Sequence, residues 1–136
     1  MAAVAWFAGA MLVASGRVLA SGATPAAWRL EDVLAPLAVG WALQALVAAW
    51  THLLPSIGPG GPAEHARQRA RLGRWATVRL VAINAGTVLL ALGIPSGTDP
   101  LIAAGGVLVA TAVGASLALA AGAVGDLRKV PTAAHG

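Results

Sequence analysis

Four apolar segments, each close to the length of a membrane-spanning helix, constrain this chain more than any other feature. They cover about residues 2–20, 33–54, 76–94 and 101–124. A helix rises about 1.5 Å per residue, so about 20 apolar residues cross the roughly 30 Å hydrocarbon core of a bilayer. Only 10% of the residues are charged, whereas soluble domains have about 25%. The sequence therefore predicts an all-α integral membrane bundle of four transmembrane helices, forming a single domain over residues 1–136.

The connections between these segments indicate how the bundle lies in a membrane. The loop at 55–75 carries four arginines, and the short tail at 125–136 carries Arg128 and Lys129. An excess of Lys and Arg marks the cytoplasmic side, so we expect the loop, the tail and both termini to be cytoplasmic. The first segment lacks the basic leader of a signal peptide and is interpreted as a spanning helix. We expect a multi-pass protein of the cell (inner or plasma) membrane, surrounded by the lipid bilayer.

The arginines of the 55–75 loop are interpreted as a lipid-facing basic surface. The net charge is +4, and its cations lie beside apolar segments, which is typical of contacts with anionic headgroups rather than with nucleic acid. The loop sequence favours a short amphipathic helix at the membrane surface, with Trp75 as an interfacial anchor. The arginines concerned are Arg67, Arg69, Arg71 and Arg74.

Segment 2 places polar and small residues on one helical face. At about 100° per residue, one stripe holds Trp41, Gln44, Ala45, Ala48 and His52. Such a stripe is expected to face protein rather than lipid. A histidine near the end of a span can ligate haem iron or copper. It can also serve as a hydrogen-bonding tether for the turn that follows, and this is the interpretation that we favour.

Segment 3 carries two polar residues within an apolar run, Arg79 and Asn84. Arg79 lies about one turn from the cytoplasmic edge, where its long side chain can extend to lipid phosphate, and we favour this anchoring role. The alternative is that Arg79 pairs with a haem propionate or with an anionic substrate. Asn84 lies near the middle of the span and needs a hydrogen-bonding partner there. Gln44 lies at a similar depth, so a Gln44–Asn84 hydrogen bond is predicted.

Segment 4 carries a small residue at every fourth position. This pattern allows another helix to approach closely, and it predicts association with a second copy or with a partner membrane subunit. The small-residue ridge consists of Gly106, Ala110, Gly114, Ala118 and Gly122.

The sequence does not contain a complete catalytic group of residues. A Ser-His-Asp set, paired carboxylates and a two-histidine helical motif are all missing, and the chain has no cysteine. Whether the protein is an enzyme is left open. His65 and His135 are expected to be solvated. Arg17 is expected to be solvated as well, rather than paired with Glu31 or Asp32.

The stretch VGWALQALVAAWTHLLPSIGPGGPAEHARQRARLGRWATVRLVAINAGTVLLALG, residues 39–93, combines several motifs in a fixed order. A helix containing GW is followed by HLLP, a GGP loop, an arginine run and a helix with R-x4-N-x-G. This order resembles polytopic actinobacterial membrane proteins that are distantly similar to the NnrS family and to haem–copper oxidase subunit I. The resemblance covers about two fifths of the chain. The matching positions are Trp41, His52, Pro55, Gly61, Pro62, Arg79, Asn84 and Gly86.

The resemblance implies a membrane module with a redox or nitrogen-oxide-related function that holds haem or copper. It implies His52 as a metal ligand and His52 with Arg79 as cofactor-binding residues, with other segments or subunits completing the site. A second hypothesis, based on the residues alone, is a non-enzymatic membrane subunit held by helix packing. A small transporter is the least favoured, because the spans lack a central Asp or Glu to couple an ion.

Overall fold

The computed structural model describes residues 2–21, 24, 30–57 and 61–127, and all regular structure in these ranges is helical. Arg128, Lys129 and His135, on which predictions were made, lie outside the described residues. The helical elements are α1 (Ala2–Ser21), α2 (Glu31–Ala35), a π-helical stretch (Pro36–Leu43), α3 (Gln44–Ile57), α4 (Pro62–Leu72), α5 (Ala76–Ser96) and α6 (Asp99–Leu127).

Four helical stretches are long and apolar enough to cross a membrane, namely Ala2–Ser21, Glu31–Ser56, Pro62–Ser96 and Asp99–Gly125. The predicted all-α architecture with four candidate spans is therefore confirmed. These helices are covered only sparsely by the rest of the chain: in the apolar stretch of α1, only 6% of the residues are buried. Most apolar side chains thus face outward, as expected for helices whose solvent is lipid.

The second span is longer and less regular than predicted. α2, the π-helical stretch and α3 follow one another without interruption from Glu31 to Ile57, whereas the prediction ended this helix at residue 54. Pro55 lies inside α3 and is fully buried. A proline removes one backbone hydrogen bond and can bend a helix without ending it. α5 likewise continues through Pro95 to Ser96.

The antiparallel hairpin of α5 and α6 makes the most extensive contact in the described fold. Two glycines allow the close approach. A Cβ on Gly86 would lie 2.9 Å from the carbonyl oxygen of Gly105, and a Cβ on Gly105 would lie 2.9 Å from that of Gly86. The turn between the helices depends on Gly97, whose φ of 63° falls in the left-handed region that glycine adopts at low cost.

α1 packs mainly against the π-helical stretch and runs antiparallel to it. Gly40 makes room for this contact, since a Cβ there would lie 2.5 Å from the ring of Trp6. The aromatic rings of Phe7 and Trp41 add to this contact, with ring centroids 5.1 Å apart. The second span is thereby held between α1 and α5.

An ion pair joins the far end of α1 to α2. Arg17 Nη1 lies 3.0 Å from Asp32 Oδ2, and only 6% of the Asp32 side chain is exposed. The expectation that Arg17 is merely solvated is therefore wrong, because antiparallel packing of α1 brings the carboxylate to it. Half of the Arg17 side chain is exposed, and such a pair contributes about 0–1 kcal/mol.

The basic connection contains the predicted amphipathic helix, α4, which packs against α3 and α6. Gln68 and Leu72 are its buried residues. The chain then turns at Trp75, whose φ of 61° is left-handed and whose side chain is 64% exposed. α4 thus packs against α3 and α6, and its last turn lies next to the start of α5.

Candidate functional site

A groove opens between α3 and α5. α2 and the π-helical stretch pack against α5, whereas α3 has its main contacts with α4, α6 and the π-helical stretch. The space between the facing sides of α3 and α5 has a volume of about 270 Å³, near the lower end of small-molecule pockets at roughly 300 Å³. Its lining residues are Gln44, Val47, Ala48, Thr51 and His52 on α3, and Ala76, Arg79, Leu80 and Ile83 on α5.

The stripe predicted on segment 2 is only partly present. Gln44 is buried, but Trp41, Ala45, Ala48 and His52 are exposed. The π-helical stretch contains Trp41 and changes the helical phase before Gln44. Beyond Gln44, the separation of α3 from α5 leaves this face uncovered. The expectation that the whole stripe faces protein is therefore wrong.

His52 lies at the rim of the groove and not in the interior of the bundle. Its backbone carbonyl accepts a hydrogen bond from Ser56 Oγ at 3.2 Å. Among the described residues, its imidazole makes no hydrogen bond that would tether the following turn. No other described residue therefore occupies its ring nitrogens through a hydrogen bond.

Arg79 is buried and held between helices, with 7% of its surface exposed. Nη1 donates a hydrogen bond to Ser116 Oγ on α6 at 2.9 Å, and Nη2 donates to the carbonyl oxygen of Leu72 in the last turn of α4. The last carbonyls of a helix lack intrahelical partners and attract cations. The predicted anchoring role, in which the Arg79 side chain extends out of the bundle, is wrong, because its guanidinium is hydrogen-bonded inside the bundle to α6 and to the last turn of α4.

The charge of Arg79 has no counter-charge in the described part of the chain. Both of its hydrogen-bond acceptors are neutral, and none of the ion pairs among the described residues involves Arg79. Its Nε is also buried without a hydrogen-bond partner. Burying a charge is costly unless it is paired. Because Arg79 also lines the groove, we expect the groove to favour a negatively charged group.

A second polar cluster connects three helices near the middle of the bundle. Asn84 Oδ1 accepts hydrogen bonds from Gln44 Nε2 at 3.2 Å and from Trp6 Nε1 at 2.7 Å. The predicted Gln44–Asn84 hydrogen bond is therefore confirmed. Trp6 was missed, and the available signal for it was that the indole N–H of a tryptophan packed between helices usually finds an acceptor.

Asn84→Ala is expected to destabilise the protein by about 2 kcal/mol, because it leaves the half-buried donor of Trp6 and the buried donor of Gln44 without an acceptor. Gln44→Ala should cost about 1 kcal/mol, since Asn84 still accepts from Trp6. The exposed Thr111→Ala is the control, with no expected change. Unfolding by SDS in mixed micelles measures all three, and equal losses for Asn84→Ala and Thr111→Ala would contradict the cluster's role.

The small-residue ridge lies on the outward face of α6. The face of α6 that packs against α5 is roughly opposite to the centre of the ridge, when positions around the helix are counted at about 100° per residue. A Cβ on Gly106 or Gly114 would meet no atom within 4 Å, whereas one on Gly122 would lie 2.5 Å from Arg71 Nη2. Gly122 is therefore covered from within the chain. The buried residues of the packed face are Gly105, Ala112, Ser116 and Ala123.

The basic residues of the connection remain on the surface. Arg67 forms an ion pair with Glu64 and has a side chain that is 75% exposed. Arg69 and Arg74 are also exposed, while Arg71 is in contact with Gly122. Their predicted contact with lipid headgroups stays a prediction.

The donors in the groove fit haem or copper only in part. Among the described residues, no group of three or more His, Asp or Glu side chains comes together at a point where a metal ion would bind. Protein copper sites take about three ligands, so His52 alone does not make one. For haem, His52 offers one axial nitrogen and Arg79 a partner for a propionate, but about 270 Å³ is little space for the macrocycle.

Comparison with known proteins finds no significant match among family models, curated sequences or solved structures. The resemblance of residues 39–93 to NnrS-type and oxidase-like membrane proteins therefore stays a prediction. The groove and the outward face of α6 are the two features of the described chain that bear on function.

Proposed function

We propose that this chain is a non-enzymatic subunit of the cell membrane that associates with a second copy of itself through the outward face of α6. In this proposal both termini and α4 lie on the cytoplasmic side, as the arginine-rich connection indicates. The observation that carries the proposal is the open space at Gly106 and Gly114, where an added Cβ would meet nothing within 4 Å.

In the described part of the chain, nothing packs closely against Gly106 or Gly114. Glycine in the interior of a helix costs roughly 0.5–1 kcal/mol relative to alanine. At Gly105 this cost is offset by the close packing of α5, but Gly106 and Gly114 gain no such contact. Small residues at every fourth position let two transmembrane helices approach closely. Because both copies would present the same ridge, their contact would close into a two-fold symmetric dimer.

The buried polar side chains support a structural role over a catalytic one. Asn84 accepts hydrogen bonds that connect α1 and α3 to α5, and Arg79 connects α5 to α4 and α6. The hydrogen bonds that Asn84 accepts and those that Arg79 donates all run between helices, so both side chains contribute to holding the bundle together.

Gly114→Leu is expected to weaken association of the chain in a bilayer by about tenfold or more, because the leucine side chain separates the two backbones. The measurement is energy transfer between donor-labelled and acceptor-labelled copies in vesicles as the lipid-to-protein ratio is varied. Gly16→Leu on the exposed surface of α1 is the matched control, since a Cβ there also meets nothing within 4 Å.

Two results would overturn the proposal. Wild-type protein could show no energy transfer above that of random mixing, which would remove self-association. Alternatively, Gly114→Leu and Gly16→Leu could reduce energy transfer equally, which would place the contact somewhere other than the ridge. Reduced energy transfer in Gly114→Leu, with Gly16→Leu behaving like wild type, supports the proposal.

A redox or nitrogen-oxide-related module is the second candidate function, and the placement of His52 and Arg79 in one groove favours it. Haem or copper would then be bound with the help of other segments or subunits. The test is an absorption spectrum and metal analysis of detergent-purified protein, wild type beside His52→Ala. A Soret band or stoichiometric copper that His52→Ala removes supports this candidate. Identical spectra with no bound metal in either protein count against it.

A further inference from the structure

We propose that the α3–α5 groove binds one anionic phospholipid, with its phosphate group beside Arg79 and His52 and part of an acyl chain along the apolar wall. This site goes beyond the subunit role, because it concerns a different face of the bundle from the α6 ridge. It requires neither a second copy of the chain nor a metal.

The electrostatics of Arg79 call for an anion. Arg79 is only 7% exposed, and its two acceptors, the Ser116 hydroxyl and the Leu72 carbonyl, are neutral. Its Nε is buried without a hydrogen-bond partner among the described residues. A guanidinium has five N–H donors, and these contacts use two of them. In a low-dielectric interior, a negative charge placed in the adjoining groove lowers the cost of keeping this cation buried.

Arg79 lies about one helical turn from the level expected for the lipid headgroups. Trp75, the residue immediately before α5, is exposed. An exposed tryptophan is typical of the membrane–water interface. Arg74 is exposed beside it. Arg79 is four residues further along, or about 6 Å deeper at 1.5 Å per residue. In this proposal the phosphate enters the outer end of the groove and lies about one helical turn below the interface, where Arg79 lines the wall.

The groove has a polar outer end and an apolar stretch of α5 further in, and Gln44 at its deep end is already hydrogen-bonded to Asn84. His52 and Thr51 on α3 lie at the polar end with Arg79 on α5, and the His52 imidazole has no other hydrogen-bond partner among the described residues. Leu80 and Ile83 extend the wall deeper along α5. An amphiphile with an anionic head matches this order, whereas a small soluble anion leaves the apolar part of the groove unused.

Native mass spectrometry of the full chain in detergent tests the proposal. Wild-type protein is titrated with phosphatidylglycerol or with phosphatidylcholine of the same acyl chains. We expect the first phosphatidylglycerol to bind about tenfold more tightly than the first phosphatidylcholine, as one favourable charge interaction in a desolvated site would give. Equal affinity for the two lipids overturns the proposal.

A groove-filling variant locates the site without changing Arg79, which also holds α4. Ala48→Trp places an indole in the groove, whereas Ala45→Trp makes the same change on the exposed surface of α3 outside it. We expect Ala48→Trp to lose about tenfold in affinity for phosphatidylglycerol and Ala45→Trp to bind like wild type. Equal binding by both variants overturns the placement. If Ala48→Trp does not fold, His52→Leu at the rim takes its place, with the same expected loss.

A further arm distinguishes the two sources of a phosphate group. Glycerol 1-phosphate, which has the headgroup chemistry without acyl chains, is added in large excess over bound phosphatidylglycerol. We expect the lipid to remain bound, because the apolar wall contributes to its affinity. Displacement of the lipid would show that the site takes a soluble phosphate, and it would overturn the assignment to a lipid.

Discussion

Gly105→Leu is expected to destabilise the protein by about 3 kcal/mol or more, which in a small bundle is enough to prevent stable folding. The first atom of the new side chain would lie 2.9 Å from the Gly86 carbonyl oxygen and 2.9 Å from Leu90 Cγ. A backbone oxygen cannot move aside as a flexible side chain can. The α5–α6 hairpin would therefore have to separate, and with it the most extensive contact of the fold.

Gly106→Leu is the matched control, because it makes the same change at the next residue. An added Cβ at Gly106 meets nothing within 4 Å, and leucine has a higher helix propensity than glycine by up to about 1 kcal/mol. We expect this variant to be as stable as wild type or slightly more so in monomer-dispersing detergent. SDS unfolding of both variants gives the comparison. Similar stabilities would contradict the packing of α6 through Gly105.

Arg79→Met is expected to release α4 from the bundle while leaving the other helices folded. The change removes the donors to Leu72 and Ser116, whose loss should weaken the docking of α4 by about 2 kcal/mol. Because it also removes a buried and unpaired charge, the remaining spans should lose little stability. Amide hydrogen exchange across 62–75 should accelerate by about 30-fold, which corresponds to that free energy.

Arg74→Met is the control for this experiment, since it removes the same charge from an exposed position in the same connection. We expect exchange in α4 to be unchanged by it. If both variants accelerate exchange equally, the effect belongs to the net charge of the connection and not to the hydrogen bonds of Arg79. If neither does, α4 is held by its buried side chains Gln68 and Leu72 alone.

Features that depend on one-dimensional pattern could be predicted from the sequence. The four spans follow from apolar length, and the amphipathic helix α4 follows from its alternation of arginines and apolar residues. The Gln44–Asn84 hydrogen bond could also be predicted, because each is an isolated amide at a similar depth of an apolar span, where unpaired polar groups are costly.

Features that depend on helical phase could not be predicted in the same way. The small-residue ridge containing Gly106 was recognisable, but the glycine that packs within the chain is Gly105, one residue away. The stripe on segment 2 failed for a related reason, because the π-helical stretch shifts the phase between Trp41 and the start of α3. At about 100° per residue, a shift of one position changes which face a side chain occupies.

The sequence by itself determined that this chain is helical, that four of its segments can span a membrane, and where its basic connection lies. These properties depend on apolar length and on charge, which are summed along the chain and do not require knowledge of contacts. Only the tertiary structure decided that Arg79 is buried and that His52 lies at the rim of a groove. The burial of Arg79 depends on its contacts with α4 and α6, and the position of His52 depends on the space between α3 and α5. Such packing is set by interactions between residues far apart in sequence.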